Sequence, residues 1–265
     1  MKTAKFAFVC LVAAGMCGVA SAQWGDFTAT FTVSGAAPKL PKLALKDQFC
    51  IDAGTKTPAL MQDETYVVGA KGELKNVVVS LVPEKAGTAI KVHPDYEKTA
   101  KDKVLLDNKD CRFEPRITIV RTSQTLTVGN SDPIGHNSNF ACFANPPVNP
   151  LIPAKGSQDL TFKVAEKTPI PVSCNIHPWM KASVLIKEDP YAAVSDATGT
   201  VTIKNIPAGK WQLHIWHEGP GNIVAATQDG KKVEWKRGRA PVEIADGKTV
   251  TWAVSLTPEQ ITAKK

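Results

Sequence analysis

Histidine is scarce in this chain, at five of 265 residues, and so few imidazoles exclude a protein built around several histidine-rich metal centres. Beyond residue 22 no run is long and apolar enough to span a bilayer, so no transmembrane segment is expected downstream. A Gly-rich phosphate loop is missing, no serine sits in a strained strand-to-helix elbow, and the carboxylates are scattered through turns. On that ground the chain is expected not to be an enzyme. There is also no arginine-rich helix, no RNA-binding signature and no basic tail beyond Lys264-Lys265, which removes nucleic acid as a partner. Finally, no stretch shows a convincing amphipathic helical stripe, so the reading is all-β.

The chain opens with a targeting pattern. Lys2 and Lys5 are followed by the apolar run Phe6 to Val19 and by the small residues Ala20-Ser21-Ala22, the layout of a cleavable signal peptide over residues 1-22. The mature chain is therefore expected to start at Gln23 in the periplasm or outside the cell. A lipid anchor does not fit, because Val9 and Met16 precede Cys10 and Cys17 where a small residue is needed. Without Lys2 and Lys5 the formal charge of +7 falls to +5. That modest basic excess can steer an acidic partner, and the densest cationic run, Lys231 to Arg239, reads first as a solvated hairpin face.

Six cysteines are present, and two leave with the leader. Of the remaining four, Cys50 and Cys111 are the preferred disulfide, since each lies in or just before a strand-like segment while Cys142 sits in a Pro/Asn-rich loop; Cys111 with Cys142 stays open. Closing a loop of the Cys50–Cys111 length contributes about 4 kcal/mol in the chain-entropy picture. Cys174 is set aside for another role.

Strand patterns recur along the chain. Phe27 to Val33 alternates with period two, Asn76 to Val82 is a β-branched buried run, and Arg116 to Val120 and Gln124 to Val128 are paired by a short polar turn. Glu84 to Lys103 reads as an exposed connection and Ala144 to Gly156, with its prolines, as loop. Leu160 to Val164, Ile170 to Ser173 and Ala182 to Ile186 complete a first group of strands. After Asp189-Pro190 short strands such as Thr200 to Ile203 and Trp211 to Trp216 alternate with turns.

The chemistry concentrates in Cys174-Asn175-Ile176-His177-Pro178-Trp179-Met180, which puts a thiolate, an imidazole and a thioether into one short loop. Such soft S/N/S donors suit copper, and type 1 sites need two His and one Cys in a near-trigonal plane with a weak, distant Met. His136, within Asp132-Pro133-Ile134-Gly135-His136-Asn137, supplies the missing imidazole. This combination of His-Asn after a strand pair with Cys-x2-His-Pro-aromatic-Met resembles the copper site of the cupredoxins, with a ligand loop like that of amicyanin. Zinc fits less well, since Met is a poor zinc ligand and structural zinc patterns need more Cys or His. A thioredoxin-like role lacks the second cysteine.

The resemblance implies one copper per chain, held by His136, Cys174, His177 and Met180 in a Greek-key β-sandwich spanning residues 23-188. Asn137 is implied to tie the ligand loops together, and Pro178 and Trp179 to form an uncharged rim where the His177 edge meets a redox partner protein. Residues 189-262 read as a smaller β-sandwich; Pro190 to Leu256 is similar to carboxypeptidase regulatory-like modules. The strand Phe27 to Val33 belongs to either module on sequence grounds, and in the second case the copper domain is an insertion. His93, His214 and His217 read as structural or solvent-facing, and Trp211, Trp216, Trp235 and Trp252 as packing. The expected role is a one-electron carrier working by outer-sphere transfer through His177, with a copper reservoir or envelope-associated binding module as the alternative and copper delivery as a third.

Overall fold

The structure, a computed structural model, describes residues 23–85 and 87–262; the leader pattern at residues 1-22 lies outside the described residues. The chain is all-β in architecture, arranged as two sandwiches with separate hydrophobic cores.

One sandwich carries the metal-ligand candidates. Its first sheet runs in the order Ser157–Leu160, Thr125–Asn130, Lys103–Lys109, Arg112–Glu114, and its second in the order Ile117–Arg121, Lys181–Lys187, Ile170–Ser173, Asn139–Phe140. The pairings of Lys103–Lys109 with Thr125–Asn130 and of Lys181–Lys187 with Ile117–Arg121 are parallel, so consecutive strands cross between sheets instead of forming only hairpins. Alternating apolar side chains from both sheets, including Leu106, Leu126, Val128, Val172, Val184 and Ile186, fill the space between them. Burying apolar surface at roughly 25 cal/mol per Å² is the main force holding the two layers together.

The other sandwich draws its strands from both ends of the chain. Trp24–Val33 lies between Thr200–Pro207 and Thr249–Leu256, antiparallel to the first and parallel to the second. Its strict alternation of buried and half-buried residues sends Phe27, Ala29, Phe31 and Val33 into the core. Val78–Pro83 pairs with Gly209–His217 and Ala192–Val194. The division drawn at residues 188 and 189 therefore does not follow the sheets; Phe27 to Val33, left open between the two modules, pairs with strands of the second. Two strands N-terminal of it hydrogen-bond to strands C-terminal of it, because a β-branched buried run states that a strand is covered on both faces and not which strands cover it.

The two sandwiches meet through Val78 and Trp216 on one side and Ile117 and Leu185 on the other. Beside this contact Arg116 forms a two-point ion pair with Glu218, at 2.8 to 3.2 Å, and Lys187 Nζ donates to the Leu81 carbonyl.

Three local expectations are corrected. Cys50 is not on a strand but in a helix, Gln48–Lys56, capped by the Asp47 carboxylate accepting from the Phe49 N–H. Only Cys50 and Gly54 of that helix are buried, so it has no apolar stripe to be read. The strand placed at Leu160 to Val164 lies earlier, at Ser157–Leu160. Within the proline-rich stretch Ala144 to Gly156, Leu151–Ile152 forms a short strand with His136–Asn137. Cys50 and Cys111 are joined by a disulfide, which ties the helix to the turn between Lys109 and Arg112 across 61 residues of sequence. Cys142 and Cys174 are free.

Candidate metal centre

His136 is presented by the short strand it shares with Asn137, paired with Leu151–Ile152. The turn before it is held by Asn130, whose side-chain amide donates to the carbonyls of Ile134, Ile152 and Pro153. The other candidates occupy the connection between Ile170–Ser173 and Lys181–Lys187, where the pairing of Ser173 with Lys181 closes the loop base. Inside that loop the Cys174 N–H donates to the Met180 carbonyl and the Met180 N–H to the His177 carbonyl. The loop is thus wound back on itself, and His177 is carried over Cys174.

Three donor atoms converge. His136 Nδ1 and His177 Nδ1 are 2.9 Å apart, and Cys174 Sγ lies 4.0 Å and 3.7 Å from them. All three residues are buried, with exposures of 0%, 4% and 1% for His136, His177 and Cys174. Such a group of ligand atoms facing one point can hold a metal ion. Met180, at the end of the same loop, is also buried. Two nitrogens crowded face to face are unfavourable as two neutral acceptors, and a shared cation or proton relieves that.

The surroundings ease ionisation of the thiol. Burial opposes ionisation of Cys174, but His136 and the backbone N–H groups of the loop outweigh it and hold the thiol below its ordinary range. The His177 N–H lies 3.4 Å from the sulfur as a donor. Burial also opposes charge on His136, yet the Asp132 carboxylate and Cys174 push its pKa up to about 9. His177 is held below the ordinary value by burial and by the neighbouring His136. Without a metal the pair therefore carries its proton on His136.

Asn137 ties the two parts of the site. Its side-chain carbonyl accepts from the N–H groups of Asn175 and Ile176 at 2.8 and 3.2 Å, and its amide donates to Asn149 at 2.6 Å. Pro178 and Trp179 line an open groove of about 600 Å³ next to His177, but Ala44, Lys46 and Asp47 form its other wall. The rim is thus not uncharged, since Lys46 and Asp47 face Pro178 and Trp179 across the groove, and His177, which lines it, is largely buried and not an exposed edge. The Trp179 ring lies 5.2 Å from that of His177.

Asp132 is the site residue that sequence reasoning passed over. Its Oδ2 lies 2.9 Å from His136 Nε2, on the side of the ring away from the sulfur, and both residues are buried. The four-residue spacing was visible, but outside a helix such a spacing carries no rule, and the contact depends on the turn between them. His93, His214 and His217 lie apart from the cluster: His93 caps a short 3-10 turn, and the other two belong to the second sandwich.

No protein-family model matches the chain, and no curated protein does. Among solved structures, a copper(I) amicyanin variant is 18% identical with a TM-score of 0.29, and the match covers 41% of this chain and 98% of that one. A reduced copper(I) amicyanin variant at pH 4 is 20% identical, with the same coverage and TM-score. The copper-containing nitrite reductase from Thermus scotoductus SA-01 is 18% identical, with a TM-score of 0.30 over 40% of this chain and 25% of that one. The last is an enzyme by its name, and the expectation that this chain is not an enzyme is corrected accordingly. Lack of a nucleophile elbow or phosphate loop does not exclude catalysis at a metal. Among the described residues no helix is long and apolar enough to cross a membrane.

Proposed function

We propose that this chain is an exported copper protein that takes up and passes on one electron at a time, with His136, Cys174, His177 and Met180 as ligands of a single copper. The observation that carries this reading is the convergence of two imidazole Nδ1 atoms and one thiol on a single buried point. Soft sulfur with two imidazoles suits copper among the common metals, and when bound the ion supplies a reversible one-electron couple. The residues present fit it: a thiol held below its ordinary range, and two rings whose inner nitrogens face each other.

The protein's part is to hold these groups still. His136 is fixed by a strand and by Asp132, and the Cys174–Met180 loop is closed at its base by the Ser173–Lys181 pairing and braced by Asn137. A frame that does not move between oxidation states keeps the reorganisation small. Electrons would enter or leave by His177, the ligand next to the surface groove, and a redox partner protein would dock there. The mixed Lys46 and Asp47 wall and the net charge leave an acidic partner as the better match. Export to the periplasm or beyond agrees with the leader pattern and with a Cys50–Cys111 disulfide.

The metal-site sandwich is proposed to be an insertion in the second one, whose sequence is similar to carboxypeptidase regulatory-like modules and which would position it. The burial of His177 favours one competing reading, a copper reservoir that holds the ion without cycling. The two are separated by the visible spectrum of mature protein with one equivalent of Cu(II), recorded beside Cys174→Ser. An intense thiolate-to-copper band, absent in the variant and bleached and restored reversibly by ascorbate and oxidant, is the result expected of a carrier. A band that does not cycle leaves the reservoir, and no band removes the copper reading.

A further inference from the structure

The Asp132 carboxylate is gripped from two sides. One side is His136 Nε2; the other is the turn between Lys103–Lys109 and Arg112–Glu114, where the Asp110 N–H donates to Oδ1 at 2.7 Å and the Cys111 N–H to Oδ2 at 2.9 Å. Both turn residues are left-handed, with φ of 52° for Asp110 and 57° for Cys111. Neither is glycine, so this turn is costly in isolation and needs outside support. Two supports are present: the carboxylate that accepts both amides, and the disulfide from Cys111 to Cys50 of the helix Gln48–Lys56. The sulfur of Cys111, a carboxylate oxygen of Asp132 and a ring nitrogen of His136 all lie within 4.8 Å of one another.

We propose that Asp132 is a positioning residue for His136 and that the Cys50–Cys111 disulfide holds Asp132 in place, so that the redox state of this disulfide tunes the metal centre. The disulfide keeps the turn left-handed, the turn aims two N–H groups at the carboxylate, and the carboxylate accepts from Nε2–H. Once the proton shared with His177 is displaced, His136 is thereby left as the tautomer whose Nδ1 lone pair faces Cys174 and His177. A full negative charge beside the outer nitrogen, on the Asp132 carboxylate, makes the inner one a stronger donor and favours the more highly charged state of a bound metal. A small dithiol would open the link: two electrons and two protons pass to Cys50 and Cys111, which become thiols, and the dithiol closes to its own disulfide. The turn can then relax, and the hold on His136 weakens.

The part of this inference that concerns potential rests on the copper reading, whereas the part that concerns His136 does not. In metal-free mature protein, the Nε2–H proton of His136 is followed by nitrogen-15 NMR. It is expected to be slow to exchange in the parent, and clearly faster in Asp132→Asn and in Cys50→Ala/Cys111→Ala, where its acceptor is weakened or loosened. In copper-loaded protein both variants are expected to shift the oxidised-to-reduced ratio toward Cu(I), by about tenfold for Asp132→Asn, which is 59 mV for one electron. Adding the cysteine changes to Asp132→Asn should shift it little further, because the two act through one contact. Should the cysteine variant fail to fold, dithiol treatment of the metal-free parent with the same proton as readout decides the matter. A cysteine variant that melts at lower temperature but keeps the protected proton and the parental potential overturns the proposal and leaves the disulfide a stability device. A parent without a copper band overturns the copper reading alone, and the proton still tests the support of His136.

Discussion

Each sandwich buries two histidines, and the pairs behave differently. In the second sandwich His214 Nε2 meets the Asn222 side-chain carbonyl at 2.7 Å, and His217 Nδ1 accepts from the Gly219 N–H while its ring stacks on Tyr66. Neutral partners meet both rings, and burial depresses both pKa values, that of His217 to about 4. In the first sandwich the rings of His136 and His177 face each other and a thiol, with a carboxylate behind. Burial is thus common to core histidines and candidate ligands. What distinguishes the second kind is that their free nitrogens converge on one point with a sulfur.

The contrast breaks most sharply at Cys174. Cys174→Ser should remove the visible band of the copper-loaded protein outright, whereas His217→Gln should leave its position and intensity as in the parent; a band lost equally in both would erase the distinction. Next in size is the joint between the sandwiches. Arg116 and Glu218 are nearly buried, with side-chain exposures of 10% and 12%. Removing Arg116 by Arg116→Met should destabilise the fold by about 3–5 kcal/mol in urea titrations, because an unpaired carboxylate is left inside. Changing both residues to Met should restore most of that stability, and equal losses in the single and double variants would contradict this account.

Acid provides a third test. The unfolded chain protonates His217 near 6.5 and the folded one near 4, so between these values the unfolded state binds more protons. Stability should therefore fall as pH drops from about 6.5, reaching a loss of about 3 kcal/mol below pH 4. His217→Gln should flatten that part of the profile; an unchanged slope would assign the acid sensitivity elsewhere. The smallest effect is expected at Asn137. Asn137→Ala leaves the N–H groups of Asn175 and Ile176 without their acceptor, at about 1–3 kcal/mol in metal-free protein. No measurable change in the denaturation midpoint would mean that water replaces the side chain.

Much of the site was legible in the residues because its donors are rare and closely spaced. Cys174, His177 and Met180 share one loop, and only one other histidine, His136, follows a strand pair at the right place. Asp132 and the facing groove wall with Lys46 and Asp47 were not legible. Each acts through a contact made by chain folding over itself, and neither residue type is unusual in a polar loop. The helix Gln48–Lys56 escaped for a related reason: two buried positions in nine residues leave no period to detect.

By itself the sequence determined that the chain is built of strands, from the period-two and β-branched runs, and it marked four side chains as candidates for a soft metal. The tertiary structure alone decided how the strands are shared. Trp24–Val33 and Val78–Pro83 cross to strands more than a hundred residues away, since alternation specifies a buried face but not the partner that covers it. Tertiary structure also decided the setting of His136, where a carboxylate, two amides of a left-handed turn and a disulfide from a distant helix come together. Hydrogen bonds reach only about 3 Å, and only folding brings Cys50, Cys111, Asp132 and His136 that close.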